Sequence, residues 1–424
     1  MKILWLVNVK LPIIYRVSNE KNKTNVGGWL DQISEKLLEV NSLTIIYPTQ
    51  KKEGENGKKD NLSYYGIYFE PHKMNAGKLK AADTIKKFEE IIKKEKPDII
   101  HVHGTEFQHS YFMTEAAKKT DMIDNLVISI QGMVGVYAEH YEFAVPLVVR
   151  YARTIREIVL NRSLHTGKME FVRRGKYETL AICNTKYVSG RTNWDKGCVS
   201  LINPKATFVK CNETLRSEFY EGEWTYQKCD PHSLFVSQAT YPVKGFHLLL
   251  KALKIVKRKY PDIKVRVAGN DVTKGNAFNG SAYTIYIKRL IKKYNLEGNI
   301  EFLGPQNSEQ MKQNMLCTNV FVSPSTIENS PNSLGEGMIL GVPCISSDVG
   351  GVTNLMLHNE EGYIYPLDET YMLAYYIMDI FEKPEKAIEM GQKARKHAKK
   401  THDADANFNQ LIEIYKMIKG DQTI

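Results

Sequence analysis

The chain has 424 residues, 42% of them apolar and 25% charged, a balance that excludes a disordered or fibrous protein and a length that calls for two cores rather than one. Its formal charge of +10 suits a nucleic acid, an anionic membrane face or a phosphorylated substrate, but no nucleic-acid motif accompanies it and no nucleic-acid partner is expected. No apolar stretch approaches the roughly 18 residues of a membrane span, and the six scattered cysteines, none in a C-x-x-C pair, read as reduced thiols of a cytoplasmic protein.

The N-terminal run Ile3–Val9 reads as part of a first buried strand, Lys2–Val9, and not as a signal peptide. After a polar loop, Gly27 and Gly28 open the amphipathic stretch Trp29–Val40. A glycine pair there lets the backbone approach a phosphate, or is a plain turn. Ser42–Pro48 reads as a second strand, Lys51–Asn61 as a polar loop and Thr84–Lys94 as a charged helix. The segment Pro97–Gly104 is a buried strand whose His101 and His103 share one face. A metal would need a third ligand, and none is evident. One packed histidine and one at a cleft edge is the simpler reading.

Leu126–Ile130 is the next strand, ending at Gln131 and Gly132. From Met133 to Lys176 the chain is aromatic and basic. Residues 141–200 carry eleven lysines and arginines against five acids. Within them Pro146–Leu160 reads as an amphipathic helix with Arg150, Arg153 and Arg156 along one side. That side suits a phosphate-bearing acceptor, an anionic membrane surface, or simply solvent. Thr179–Cys183 reads as a strand, Thr192 as a helix cap and Thr207–Cys211 as the last strand of this half. About six parallel strands alternating with helices make 1–212 a Rossmann-like domain.

Residues 213–230 have no clear apolar period and read as a connector, with a second domain over 231–404. Ser233–Ser237 begins it as a buried strand, and Pro242-Val243-Lys244-Gly245 opens the helix Phe246–Lys259. A lysine at the mouth of a strand–loop–helix unit pairs with phosphates, or is a surface lysine. Ile263–Gly269 and Asn299–Gly304 read as strands, the second running into Pro305. Ala282–Tyr294 and Glu309–Leu316 read as helices. The stretch Phe321–Gly351, FVSPSTIENSPNSLGEGMILGVPCISSDVGG, then supplies a strand end, a polar loop, a helix over about Ser333–Leu340, a stop at Gly341-Val342-Pro343 and a strand at Cys344–Ser346. In such a unit ligands bind at the strand's carboxyl end. The helix start near Asn332, Ser333 and Leu334 suits an anion, and Glu328 and Glu336 flank it as acceptors for sugar hydroxyls. The plainer alternative is a capped helix with two solvated glutamates. Ala387–Lys400 and Asn407–Ile418 read as helices, and Asp403-Ala404-Asp405 between them as a cap rather than a metal motif.

The residues Ser323-Pro324-Ser325, Glu328 through Glu336-Gly337-Met338, Gly341-Val342-Pro343 and Ser347–Gly351 resemble the donor-site signature of glycosyltransferase family 4, and the likeness continues in order over most of the chain. The resemblance implies the α/β GT-B fold: two Rossmann-like domains facing each other across a cleft, with 405–424 returning to pack on the first. It implies a retaining, hexosyltransferase-type enzyme that moves a sugar from a nucleotide-sugar, most often a UDP-sugar. The acceptor would be a glycan or a lipid-diphosphate-saccharide in capsule, lipopolysaccharide or other surface-polysaccharide synthesis, at the cytoplasmic side in peripheral contact with an anionic membrane. No metal or other cofactor is expected. Carried onto this sequence, Glu328 and Lys244 are the catalytic pair. Gly27, Gly28, Gln238, Pro305, Asn332, Ser333, Leu334 and Glu336 bind the donor. His103, Gly104, Gln131, Gly132, Arg150 and Arg153 line the cleft for the acceptor. Gly362–Asp368 resembles the family's closing strand. Three positions depart from the pattern: Gly337 for an alanine, Gln131 for a histidine, and Gln238 at the place nearest an arginine. The last two keep open an alternative, a non-catalytic nucleotide-sugar-binding protein of the same fold.

Overall fold

Two sheets organise the chain in the computed structural model, which describes residues 1–20 and 27–420. The first sheet contains β1 (Lys2–Leu6), β2 (Ser42–Thr49), β3 (Glu55–Lys59), β4 (Leu62–Tyr68), β5 (Ile99–His103), β6 (Leu126–Ser129), β7 (Tyr187–Gly190) and β8 (Thr207–Lys210), in the order β3-β4-β2-β1-β5-β6-β7-β8. All pairings are parallel except β3 with β4. The central strands β1 and β5 are almost wholly buried, because helices cover both faces of a parallel sheet. The second sheet contains β9 (Asp230–Val236), β10 (Lys264–Ala268), β11 (Ile300–Gly304), β12 (Thr318–Ser323), β13 (Cys344–Ser347) and β14 (Tyr363–Tyr365), in the order β11-β10-β9-β12-β13-β14 and parallel throughout.

Each sheet centres one compact unit. The first holds Met1–Val136, Glu170–Thr214 and the C-terminal segment from His402; the second holds Tyr137–Met169 and Leu215–Thr401. This differs from an unbroken first domain over 1–212. Residues 137–169 leave the first unit and pack in the second. Val145 and Leu164 join its apolar core, the buried His247 ring meets the Phe143 carbonyl at 2.9 Å, and Thr326 Oγ1 donates to the His140 carbonyl at 3.1 Å. The connector also folds onto the second unit. Trp224 buries its indole there and donates to the Thr318 carbonyl at 2.7 Å. The C-terminal helix Ala404–Lys419 belongs to the first unit, where Tyr415 accepts a hydrogen bond from Trp5 Nε1 at 2.9 Å. Asp403 caps that helix through the Ala406 N–H at 2.8 Å. The expected return over 405–424 extends into 421–424, outside the described residues.

Several elements differ from expectation. Thr179–Cys183 is not a strand but the end of the helix Leu164–Asn184; the short apolar run Leu180–Cys183 fits either structure, and here Ala181 and Ile182 are core residues on a helix. The polar stretch 51–61 contains the edge strand β3, whose lysines and glutamate are the charges that protect a sheet edge. The single helix expected over Pro146–Leu160 is two short ones, Leu147–Tyr151 and Ile155–Val159. Thr154 and Glu157 form a capping box between them, so Arg150, Arg153 and Arg156 do not share one helix face. Among the described residues no helix is long and apolar enough to cross a membrane.

Candidate functional site

β9 and β12 lie side by side at the middle of the second sheet, with β10 on the far side of β9. The chain therefore leaves β9 in one direction and returns beside it from the other. This is the switch point at which loops diverge and open a crevice. The loop after β9 runs into the short turn Pro242–Lys244, and the loop after β12 runs into the helix Asn332–Leu340.

The two loops are stitched together at close range. Thr326 N–H donates to the Val243 carbonyl at 2.7 Å. Gly245 adopts φ +65°, and a Cβ there would stand 1.7 Å from the Pro324 carbonyl oxygen, so only glycine fits. This seats Lys244, whose Nζ lies 2.5 Å from Glu328 Oε1. Ser325 Oγ donates to the same oxygen at 2.8 Å. Burial pulls the Lys244 ammonium down, but the Glu328 charge outweighs it and the net shift is upward. The backbone of Glu328 is held in turn by the glycine pair after β13. Gly351 N–H donates to its carbonyl at 3.1 Å, and a Cβ on Gly350, at φ +53°, would lie 1.9 Å from that oxygen.

The helix Asn332–Leu340 begins after Pro331 with no side-chain cap, which leaves its dipole end facing the loops. Ser237 Oγ, at the end of β9, lies 3.3 Å from Ser333 Oγ. Leu334, an expected donor contact, has its side chain fully buried in the core; its N–H bonds back to the Pro331 carbonyl at 3.0 Å, so its side chain offers a ligand nothing. Glu336 is 3% exposed. It takes a bidentate pair from Arg216, Nε to Oε1 at 2.7 Å and Nη2 to Oε2 at 2.8 Å. Burial raises the Glu336 carboxyl and Arg216 opposes the rise. Gln238 sits beside Gly269 at the end of β10, Thr240 Oγ1 in the same loop is buried without a hydrogen-bond partner, and Pro305 follows β11 at the surface.

Sequence reasoning missed three residues here. Arg216 lies in the connector, Thr240 has no motif around it, and Tyr137, whose hydroxyl accepts the Asn329 N–H at 3.0 Å, stands 192 positions from its partner. The only sequence signal was the aromatic richness around Tyr137. The glycine at 337 also has a local cause: a Cβ there would meet Cys344 Sγ at 3.1 Å and the Phe321 ring at 3.3 Å.

The remaining expected residues divide between the units. In the first, Gly27 takes φ +86° and Gly28 opens a short turn before the helix Asp31–Val40. His101 bridges Tyr415 Oη and Ser129 Oγ, each at 2.6 Å. His103 stacks on it at 3.8 Å, with Nε2 buried and unpartnered. Burial lowers both rings, His101 to about 3, so both are packed and neutral, and His103 is not the open edge residue expected. Gln131 donates through Nε2 to Glu213, which also pairs with Arg191 at 2.7 Å. A carboxylate only accepts, so the amide oxygen of Gln131 faces away from it. These residues and His103 line a small cavity of about 40 Å³. Gly104, at φ +93°, leaves room for the Asn8–Glu106 hydrogen bond. The Gly132 carbonyl lies 3.4 Å from Thr105 Oγ1. Behind them Glu178 accepts from Thr105 Oγ1 and the N–H groups of Val134 and Gly135; burial pushes it up to about 8 and Glu106 to about 7. Arg150 and Arg153, expected with the first domain, belong to the second unit, bonded to the Val145 carbonyl and Asn161 Oδ1.

Residues 222–397 match the family of glycosyl transferases group 1, a stretch wholly inside the second unit. An uncharacterized glycosyltransferase of Haemophilus influenzae is 24% identical over 179 residues, 42% of this chain and 46% of the relative. The amylovoran biosynthesis glycosyltransferase of Erwinia amylovora is 22% identical over 181 residues, 41% of this chain and 42% of the relative. The chain thus spans under half the length of the curated relatives it matches. Over the whole chain it is similar to the HepE protein of Anabaena, solved in complex with UDP-glucose: TM-score 0.68, 16% identity, 98% of this chain and 100% of the other. The fold is the GT-B fold, with two α/β units as the sequence resemblance implied.

Proposed function

We propose that the chain is a retaining glycosyltransferase of the family 4 type, moving a hexose from a UDP-sugar to a saccharide or lipid-diphosphate-saccharide acceptor. The observation that carries this reading is the Lys244–Glu328–Ser325 cluster at the switch point, beside a helix start with no side-chain cap. In the reaction the bond between the sugar's anomeric carbon and the diphosphate oxygen breaks. A bond from the same carbon to an acceptor hydroxyl oxygen forms, and that hydroxyl's proton is released. Negative charge grows on the departing diphosphate. Lys244 and the helix N–H groups meet it there, where fixed donors act most strongly. Glu328 holds hydroxyls of the transferred sugar, and Glu336, aimed by its bidentate pair with Arg216, holds the ribose. Ser237 and Thr240 add neutral donors to a loop that has Gln238 and Ala239 where the family carries a cation. Gln131 offers its amide oxygen as an acceptor and is no base. The relatives include an amylovoran biosynthesis enzyme, which supports a polysaccharide-biosynthesis setting, and the fold's neighbours a UDP-glucose complex, which supports a nucleotide-sugar donor. We place the reaction at the cytoplasmic membrane face, in peripheral contact with anionic lipid.

The test is turnover with a panel of UDP-, GDP- and ADP-sugars, alongside nucleotide-induced stabilisation, which reaches about 2.7 kcal/mol at a hundredfold excess over Kd. Glu328→Ala is expected to keep nucleotide binding and lose transfer, and Glu336→Ala to lose nucleotide binding. Full transfer by Glu328→Ala sinks the assignment. Binding without turnover in the native protein would favour a nucleotide-sugar-binding protein instead.

A further inference from the structure

Residues 147–160 invert the usual pattern of a surface helix. Val148, Ile158 and Val159 are 76%, 61% and 79% exposed, and Leu147, Tyr151, Ile155 and Leu160 are exposed with them. The one acid in the segment, Glu157, is buried. Isolated exposed apolar residues need no explanation, but seven within fourteen positions do. An eighth, Phe278, stands 69% exposed on the neighbouring loop.

The segment is built to hold this arrangement. Ile155 N–H donates to the Ala277 carbonyl at 2.9 Å and Arg156 N–H to the Phe278 carbonyl at 3.1 Å. Thr154 Oγ1 donates to the Gly280 carbonyl at 2.7 Å. Glu157 Oε2 accepts from Thr154 N–H at 3.0 Å and from Ala282 N–H at 2.9 Å, serving the starts of two helices at once. The polar group of the short helix is thus spent inward on caps, and its aliphatic side chains are left outward. Between 147 and 162 the charges near the surface are cationic: Arg153 and Arg156 are exposed and Arg150 and Arg162 half-buried, with no exposed acid among them.

We infer that this platform is a membrane-docking surface that takes a bilayer containing anionic lipid. Aliphatic side chains enter the acyl boundary while guanidinium groups stay at the level of the headgroup phosphates, a division of labour that matches the alternation here. The absence of exposed carboxylates along the segment complements a phosphate surface of one sign. The inference deepens the membrane-face reading proposed above. It rests on second-unit geometry that is independent of the transfer chemistry.

The test is sedimentation of the full chain with vesicles of phosphatidylcholine alone and of phosphatidylcholine mixed with phosphatidylglycerol, at low and high salt. Binding is expected only to the mixed vesicles and weaker at high salt. The double substitution Ile158→Ser with Val159→Ser removes two outward side chains that carry no packing, so the fold is expected to be unchanged by circular dichroism and partitioning to fall about tenfold. Transfer to a water-soluble acceptor should be the same in both proteins, which separates loss of docking from loss of catalysis. Failure of the native protein to sediment with the mixed vesicles overturns the inference, as does equal sedimentation of the variant. A concentration-dependent dimer that the substitution abolishes, with vesicle binding unaltered, assigns the surface to a second copy and overturns it too.

Discussion

Removing the charge of Arg216 while keeping its stem, as in Arg216→Met, leaves Glu336 buried without its bidentate cation. Glu336 is 4% exposed at the side chain and Arg216 19%, so solvent screens the pair little. Stranding one member of such a pair costs about 3–5 kcal/mol. Protonation offers Glu336 an escape that caps the loss. With an unfolded value of 4.5, taking up a proton in the fold at pH 7 costs about 3.4 kcal/mol, against about 0.8 kcal/mol at pH 5. The carboxyl of the variant is raised in the folded state, so its contribution is intact below pH 4.5 and is lost as pH rises toward its folded value. Chemical denaturation of native and variant proteins at pH 5 and pH 7 reads this directly. The expected penalty is about 3 kcal/mol at pH 7, shrinking by more than half at pH 5. Adding Glu336→Gln to the variant removes the titrating group and should flatten the pH dependence. A penalty below about 1 kcal/mol at pH 7, or one equal at both pH values, would refute the claim that Arg216 holds a buried charge in place. Nucleotide affinity should fall with stability at pH 7, because a protonated Glu336 is a poorer acceptor for two hydroxyls.

Gly245→Ala forces a methyl toward the Pro324 carbonyl at 1.7 Å in a left-handed backbone. It should destabilise the second unit by about 3 kcal/mol or more and abolish nucleotide-induced stabilisation, whereas Gly298→Ala, with nothing within 4 Å, should change thermal stability by under about 0.5 kcal/mol. His247, lowered to about 4 by burial, stays neutral in the fold while the unfolded ring titrates at 6.5. The stability this confers is present above pH 6.5 and is lost as pH falls toward 4. Between pH 7 and pH 4.5 the loss is about 2.5 kcal/mol, and His247→Gln should show a correspondingly flatter pH–stability profile by denaturant titration.

The legible parts of this chain are those where one short segment carries its own constraint. Glu328 and Glu336 could be placed because loop, helix and following glycines lie within a single stretch, in which Gly350, at φ +53°, closes against the Glu328 carbonyl. The same locality made the individual strands of the second sheet readable, since each run there is bounded by its own turn, whereas their order appears only in the fold. The strand expected at Thr179–Cys183 failed because the four apolar residues Leu180–Cys183 are compatible with either period, and only the helix around them decides.

What was hidden is joined across the chain. Arg216 meets Glu336 over 120 positions, Tyr137 meets Asn329 over 192, and Tyr415 meets His101 over 314; no period or motif marks such partners in advance. The placement of 137–169 in the second unit follows the same logic. It rests on a backbone carbonyl at Phe143 and on the apolar side chains Val145 and Leu164, groups that any core would accept. Those anchors release the intervening stretch from packing duty. The aliphatic residues there face outward because Glu157 and Thr154 already satisfy the helix ends beneath them. The aromatic, basic composition read from the sequence set this stretch apart, but which of its side chains face outward is decided by the burial of Glu157.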